Sequence, residues 1–190
     1  MTPHRSPQRG FTLLELLLAL AVGLLFAAVM LRALALEGPQ GSLLARQLRE
    51  RGLQSRTLEL LRGDLLRGET VRVGTSPQAA CPLSGRQPLL EIQTPQGTIT
   101  WSQGAAPSAI WRGRVLMRCG PAFGLDGEPS GGTPQNRVVI DALSAEGLRI
   151  EPGASGLLRL RLEQELRLAD GGRQRLGSSR TLSPGGLVMP

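Results

Sequence analysis

The chain has 190 residues, with 22 basic and 15 acidic side chains for a formal charge of +7, 41% hydrophobic content and 3% aromatic content. All the basic residues are Arg, and the single histidine, His4, precedes the first apolar run, so Ser-His, Cys-His and His-rich zinc chemistry has no place in the body of the protein. The length suits one modest domain with an accessory segment rather than a large multidomain enzyme, and 25 Gly with 14 Pro indicates a folded, loop-rich domain.

The first element in chain order is residues 11–31, FTLLELLLALAVGLLFAAVML, an apolar stretch with one charge, Glu15. As a helix it would be about 30 Å long, enough to cross a hydrocarbon core. Arg5 and Arg9 ahead of it place the N-terminus in the cytoplasm by the positive-inside rule. A secretory signal peptide has a shorter apolar core, although Ala33-Leu34-Ala35 offers a cut site. A plain signal anchor fits the length. Neither explains Glu15, because a carboxylate inside an apolar helix is costly and is kept only where something offsets that cost.

Arg9-Gly10-Phe11-Thr12-Leu13-Leu14-Glu15 followed by LLLALAVGLL resembles the class III signal of type IV prepilins and pseudopilins. The resemblance implies a leader, residues 1–10, cut after Gly10 by a prepilin peptidase. It makes Phe11 the new, N-methylated terminus of a transmembrane and filament-core helix over 11–31, and Glu15 the assembly glutamate. In a low-dielectric bundle of such helices, Glu15 would pair with the terminal amine of a neighbouring subunit. The implied partners are other major and minor pilins, an inner-membrane assembly platform and membrane lipid. The implied location is the bacterial inner membrane, as a single pass with the head in the periplasm, and then a pilus or pseudopilus at the cell surface. Thr98–Ser102 and Trp111-Arg112 are similar to stretches of minor pilins related to the J pseudopilin of type II secretion.

Glu37-Gly38-Pro39-Gln40-Gly41 predicts a break over 32–41, since glycine and proline both disfavour a helix interior. Ser42 then caps an amphipathic helix over 42–67, with Leu44, Leu48, Leu58, Leu61 and Leu65 on its apolar face. Its arginines, Arg46, Arg49, Arg51, Arg56, Arg62 and Arg67, read as a solvated face with acid-base pairs to Glu50, Glu59 and Asp64.

Residues 68–190 read as a β-rich head, with strands at 69–73, 89–94, 98–102, 109–118, 137–141, 147–151, 157–168 and 173–182. In 157–168 leucines alternate with charged residues, as on a sheet with one buried and one solvated face, and Asp170-Gly171-Gly172 is turn chemistry. The expected fold is α+β: a long N-terminal transmembrane and amphipathic helix, pilin-like, packed on an antiparallel β-sheet head.

Candidate sites in the head are few. Glu163 and Glu165 share a strand face, but Arg161 and Arg167 flank them, so a charged outer face is expected rather than a catalytic carboxylate pair. Cys81 and Cys119 are the only cysteines; an exported head favours one disulfide between them, with two buried thiols as the alternative. Asp126 and Glu128 fall short of the oxygens that calcium requires, so no metal is expected. Trp101, Trp111 and Phe123 read as core or subunit contacts. With no histidine after the leader, no phosphate loop and no nucleophile beside a base, neither an enzyme nor a cofactor is expected. The expectation is a structural or priming subunit, a minor pilin or pseudopilin. Capture of nucleic acid is the alternative, disfavoured because the arginines are interleaved with acids.

Overall fold

The computed structural model describes residues 12–153, 156–168 and 171–189. The chain divides into two compact units, Met1–Leu48 and Arg49–Pro190, and one helix, α1 (Leu13–Arg67), contributes to both. The break expected over 32–41 is absent from the backbone, and Ser42 lies inside α1 rather than capping a second helix. A proline deletes one rung of the i→i−4 ladder, and helix propagation is cooperative, so the rungs on either side carry the helix across a single missing bond.

In the second unit, α1 is followed by eight strands: β1 (Thr70–Val73), β2 (Gln87–Thr94), β3 (Gly97–Ala105), β4 (Arg114–Gly120), β5 (Gln135–Pro152), β6 (Leu158–Arg167), β7 (Arg173–Leu182) and β8 (Leu187–Met189). They form one sheet in the order β7-β6-β5-β4-β3-β2-β1-β8. From β1 to β7 every strand pairs antiparallel with its sequence neighbour, and only β8 joins in parallel, beside β1. The α+β class is therefore as expected. In detail, the expected strands 137–141 and 147–151 are one strand, β5, with its register shift between Leu143 and Leu148. The expected strand 109–118 starts only at Arg114, and β8 was not foreseen.

The sheet must curl. Leu182 and Leu187 lie on opposite edges of the strand order, yet only four residues separate them, a span of at most about 18 Å. A flat sheet would hold its outer strands about 34 Å apart, at seven spacings of about 4.8 Å. Both edges indeed reach one core: Leu182 of β7 and Val188 of β8 pack on the cluster that holds Leu58, Leu61 and Leu65 of α1 with Val71, Ile92, Trp101, Leu116 and Leu160. The crossing runs over the end of α1, where the Gly185 N–H donates to the Leu65 carbonyl (3.0 Å). A Cβ on Gly186 would sit 2.1 Å from the Glu69 carbonyl oxygen, so the chain passes there only as glycine.

The opposite face of β2–β4 is covered by the loop 74–86. Its staple is a disulfide from Cys81 to Cys119 of β4, with a Cα–Cα distance of 6.0 Å. Its second anchor is Glu91 of β2, whose side chain is fully buried and accepts hydrogen bonds from Arg72 Nη1 (2.8 Å), Ser76 Oγ (3.1 Å), the Gln78 N–H (2.9 Å) and Gln93 Nε2 (3.3 Å). Burial by itself would raise the Glu91 pKa, but these donors together hold it below its ordinary value.

Candidate processing and assembly site

Gly10 and Phe11, the expected cleavage and methylation positions, lie outside the described residues, as does the leader. The helix begins immediately after them because Thr12 and Glu15 form a capping box. Thr12 Oγ1 accepts from the Glu15 N–H (3.3 Å), and Glu15 Oε2 accepts from the Thr12 N–H and Oγ1, each at 3.1 Å. Glu15 is thus held by local hydrogen bonds, and it is exposed. Behind it, Leu13–Ala33 has a mean hydropathy of 2.6 and is long and apolar enough to cross a membrane. Its leucines, Phe26 and Met30 are exposed, so none of the described residues covers them.

In the second unit, α1 turns a mixed stripe toward the sheet. Glu50, Gln54, Thr57, Leu61 and Asp64 recur at alternating four- and three-residue spacing, and all are buried. Asp64 is matched by Arg118 of β4 through two parallel bonds, Nε to Oδ2 (2.7 Å) and Nη2 to Oδ1 (3.0 Å), and Trp101 Nε1 donates to the same Oδ2 (3.0 Å). Arg118 also donates to the Pro121 carbonyl (3.1 Å) and lies over the Phe123 ring, 4.8 Å from its centroid.

About three turns nearer the helix middle, Gln54 Nε2 donates to Gln164 Oε1 (2.9 Å) and to the Leu176 carbonyl (3.1 Å), while its Oε1 accepts from Ser178. Gln164 passes the chain on to the Asp141 carbonyl (2.9 Å). Beyond it, Arg112 bridges Glu50 (3.0 Å) and Asp141 (2.7 Å). Its hydrogen bonds with Asp141 and then Glu50 push the Arg112 pKa above its ordinary value. Burial would raise the Asp141 pKa, but the Arg112 side chain and backbone N–H outweigh it and hold it low.

These residues were not singled out as partners in the sequence. The acids of 42–67 were expected to pair along the helix; only Arg62 to Glu59 does so (3.4 Å), whereas Glu50 and Asp64 turn inward. Leu44 and Leu48, assigned to the apolar face, are exposed. The one available signal was the heptad-like spacing of 50, 54, 57, 61 and 64, hidden because polar residues occupy it. Glu163 and Glu165 form the charged outer face expected of them, against Arg161, and against Arg173 and Arg175. Asp126 accepts the Glu128 N–H (3.1 Å) within its own turn. Trp101 is core, Trp111 is half-buried and Phe123 is partly exposed.

Residues 5–31 match the prokaryotic N-terminal methylation motif. No curated protein and no solved structure matches the chain significantly. Over those residues the chain is similar to the class III signal of type IV pilins and pseudopilins, and an apolar helix of membrane length follows it.

Proposed function

We propose that the chain is a minor pilin or pseudopilin, a structural or priming subunit of a type IV pilus-like or type II secretion-like filament, without enzymatic activity of its own. It enters the bacterial inner membrane as a single-pass prepilin with its head in the periplasm. A prepilin peptidase cuts after Gly10, Phe11 is N-methylated, and the assembly platform passes the subunit to other pilins. The observation that carries this reading is the methylation motif over 5–31, abutting an apolar helix of membrane length. The capping box adds a physical reason for the site's position: the helix starts at Leu13, so the scissile Gly10-Phe11 bond precedes the first helical hydrogen bonds.

Co-expression with a prepilin peptidase, followed by mass spectrometry of the N-terminal peptide, tests it. The expected product begins with N-methylated Phe11. A chain that keeps residues 1–10 in the presence of an active peptidase refutes the proposal. Gly10→Val should block cutting, and Glu15→Ala should be cut normally yet fail to enter filaments; efficient incorporation of Glu15→Ala would remove Glu15 from assembly.

A further inference from the structure

The connection from β4 to β5 holds an apolar side chain out in solvent and, a few residues away, forms an apolar hollow of a size to take one. Leu125 is fully exposed at the corner of a turn in which the Gly127 N–H donates to the Gly124 carbonyl (3.1 Å). The turn is built rather than loose. The Gly124 N–H donates to the Glu128 carbonyl (2.8 Å), the Glu128 N–H to Asp126 Oδ1 (3.1 Å) and the Ser130 N–H to the Ala122 carbonyl (2.7 Å), around a bridge between Phe123 and Pro129. Glu128 also reaches Arg67 of α1 (3.7 Å). A leucine at a mobile tip would give up its freedom on binding, whereas one held on a hydrogen-bonded turn gives up little.

The hollow, about 250 Å3, lies on the α1-facing side of the sheet between Leu60 of α1, Pro121 and Phe123 of the connection, and Val139 of β5. Arg137 stands at its wall, paired in register with Arg118. Arg118 is matched by Asp64, but Arg137 is exposed and has no acidic partner among the described residues. Asp126, next to Leu125, likewise forms no ion pair among the described residues. The chain thus carries both halves of one contact: an apolar residue followed by a free carboxylate on the turn, and an apolar hollow beside a free guanidinium. The turn's own hydrogen bonds hold Leu125 out of the hollow of its own chain.

We propose that Leu125 docks in the hollow of a second copy of this chain, between Leu60, Phe123 and Val139, with Asp126 of one copy paired to Arg137 of the other. Because one connection presents both halves, a two-fold arrangement lets each copy give and receive. One leucine and one surface ion pair fall far short of a standard interface, so the contact is weak between free heads. It operates between copies held close, as the apolar helix of each holds them in one membrane. The contact uses head residues alone and needs no cut after Gly10, so its failure would leave the prepilin reading as it stands.

The chain has no lysine, so Arg137→Lys introduces the only side-chain amine. The full chain carrying Arg137→Lys, half of it labelled with heavy nitrogen, is treated in non-ionic detergent with a carbodiimide, which joins a carboxylate to an amine only where the two touch. Mass spectrometry then maps the joined peptides. The expected product links Asp126 to position 137 and carries mixed labels, which marks it as formed between chains. Leu125→Asn in the same background should lower its yield about tenfold, the scale of one lost leucine burial, and Ala122→Phe, which fills the hollow from its wall, should lower it comparably. Leu125 packs on none of the described residues, so Leu125→Asn should leave the head's melting temperature unchanged and the drop reads as lost docking. Absence of the product, joining within single chains only, equal joining at acids remote from the turn such as Glu151, or a yield that Leu125→Asn leaves unchanged would each overturn the proposal.

Discussion

The two stretches of α1 bury side chains on opposite principles. Leu13–Ala33 is apolar on every side and buries none of that surface in its own chain, with Glu15 as its one charge, tied into the first turn. Arg49–Arg67 is less apolar, yet it is the part that the sheet enfolds, and about half of its buried face is polar. Apolar area alone fixes neither rotation nor axial register, because one leucine contact is much like the next. A buried carboxylate or amide has few acceptable positions, since leaving it unmatched is costly. In the head, then, leucines supply burial while Asp64, Gln54 and Glu50 fix which residue of the helix meets which strand.

The sharpest way to break this contrast is Asp64→Ala. It leaves Arg118 buried without its carboxylate and Trp101 Nε1 without an acceptor, and should destabilise the head by about 3–5 kcal/mol. Chemical denaturation of the full chain, followed by Trp101 emission, measures it; a loss below about 1 kcal/mol would show that the leucines alone set the register. Leu25→Ala, in the exposed apolar stretch, should leave the same midpoint unchanged.

Next in size is the staple on the other face. The disulfide closes a loop over a sequence separation of 38 residues, worth about 4 kcal/mol in the chain-entropy model. Reduction should lower the head's denaturation midpoint accordingly. If the midpoint stays while residues 74–86 lose protection from proteolysis, the staple holds only the outer loop and not the sheet.

A smaller effect reads the two faces of the sheet by pH, through Asp141 beside the polar seam and Glu91 under the outer loop. Asp141 and Glu91 both titrate below their ordinary values when folded, so the unfolded chain binds more protons in the carboxylate range. Their contribution is therefore complete above roughly pH 5 and is lost as the pH falls through about 4 toward their folded values. The double variant Asp141→Asn, Glu91→Gln should flatten the fall in midpoint between about pH 5 and 3. A fall as steep as in the unaltered chain would assign the acid sensitivity to other carboxyls.

Much of this was legible in the sequence and some was not, for identifiable reasons. The N-terminal signal depends on adjacent residues, so reading along the chain finds it. The strand 158–167 was equally plain because Leu158 to Leu166 alternate at period two, and the hairpin to β7 follows from a local turn. Arg118 with Asp64 is a contact between residues 54 apart, and nothing local distinguishes Asp64 from a solvated helix acid. β8 has no local signature, because it has three residues and gains its place only through the curl of the whole sheet. At Gly38-Pro39 each residue's propensity argues for a break, but a ladder that continues on both sides decides the outcome.

The smallest effect belongs to the helix start and sharpens the comparison from the other end. Thr12→Val keeps the shape and removes the hydroxyl that accepts the Glu15 N–H and donates to Glu15 Oε2. A lost N-cap is worth about 1 kcal/mol, and the loss acts within the first turn. Amide exchange at Leu14–Leu16 should therefore quicken roughly fivefold in Thr12→Val and return to normal in Thr12→Ser, while the head's denaturation midpoint stays where it was. The second half of that outcome is the telling one. A head that softened with the cap would mean that the two parts of α1 unfold as one cooperative element, and the division of labour between an apolar stretch and a register-setting stretch would fail. A head that ignores the cap leaves Glu15 held only by the backbone N–H of residue 12, with the register of the head unchanged.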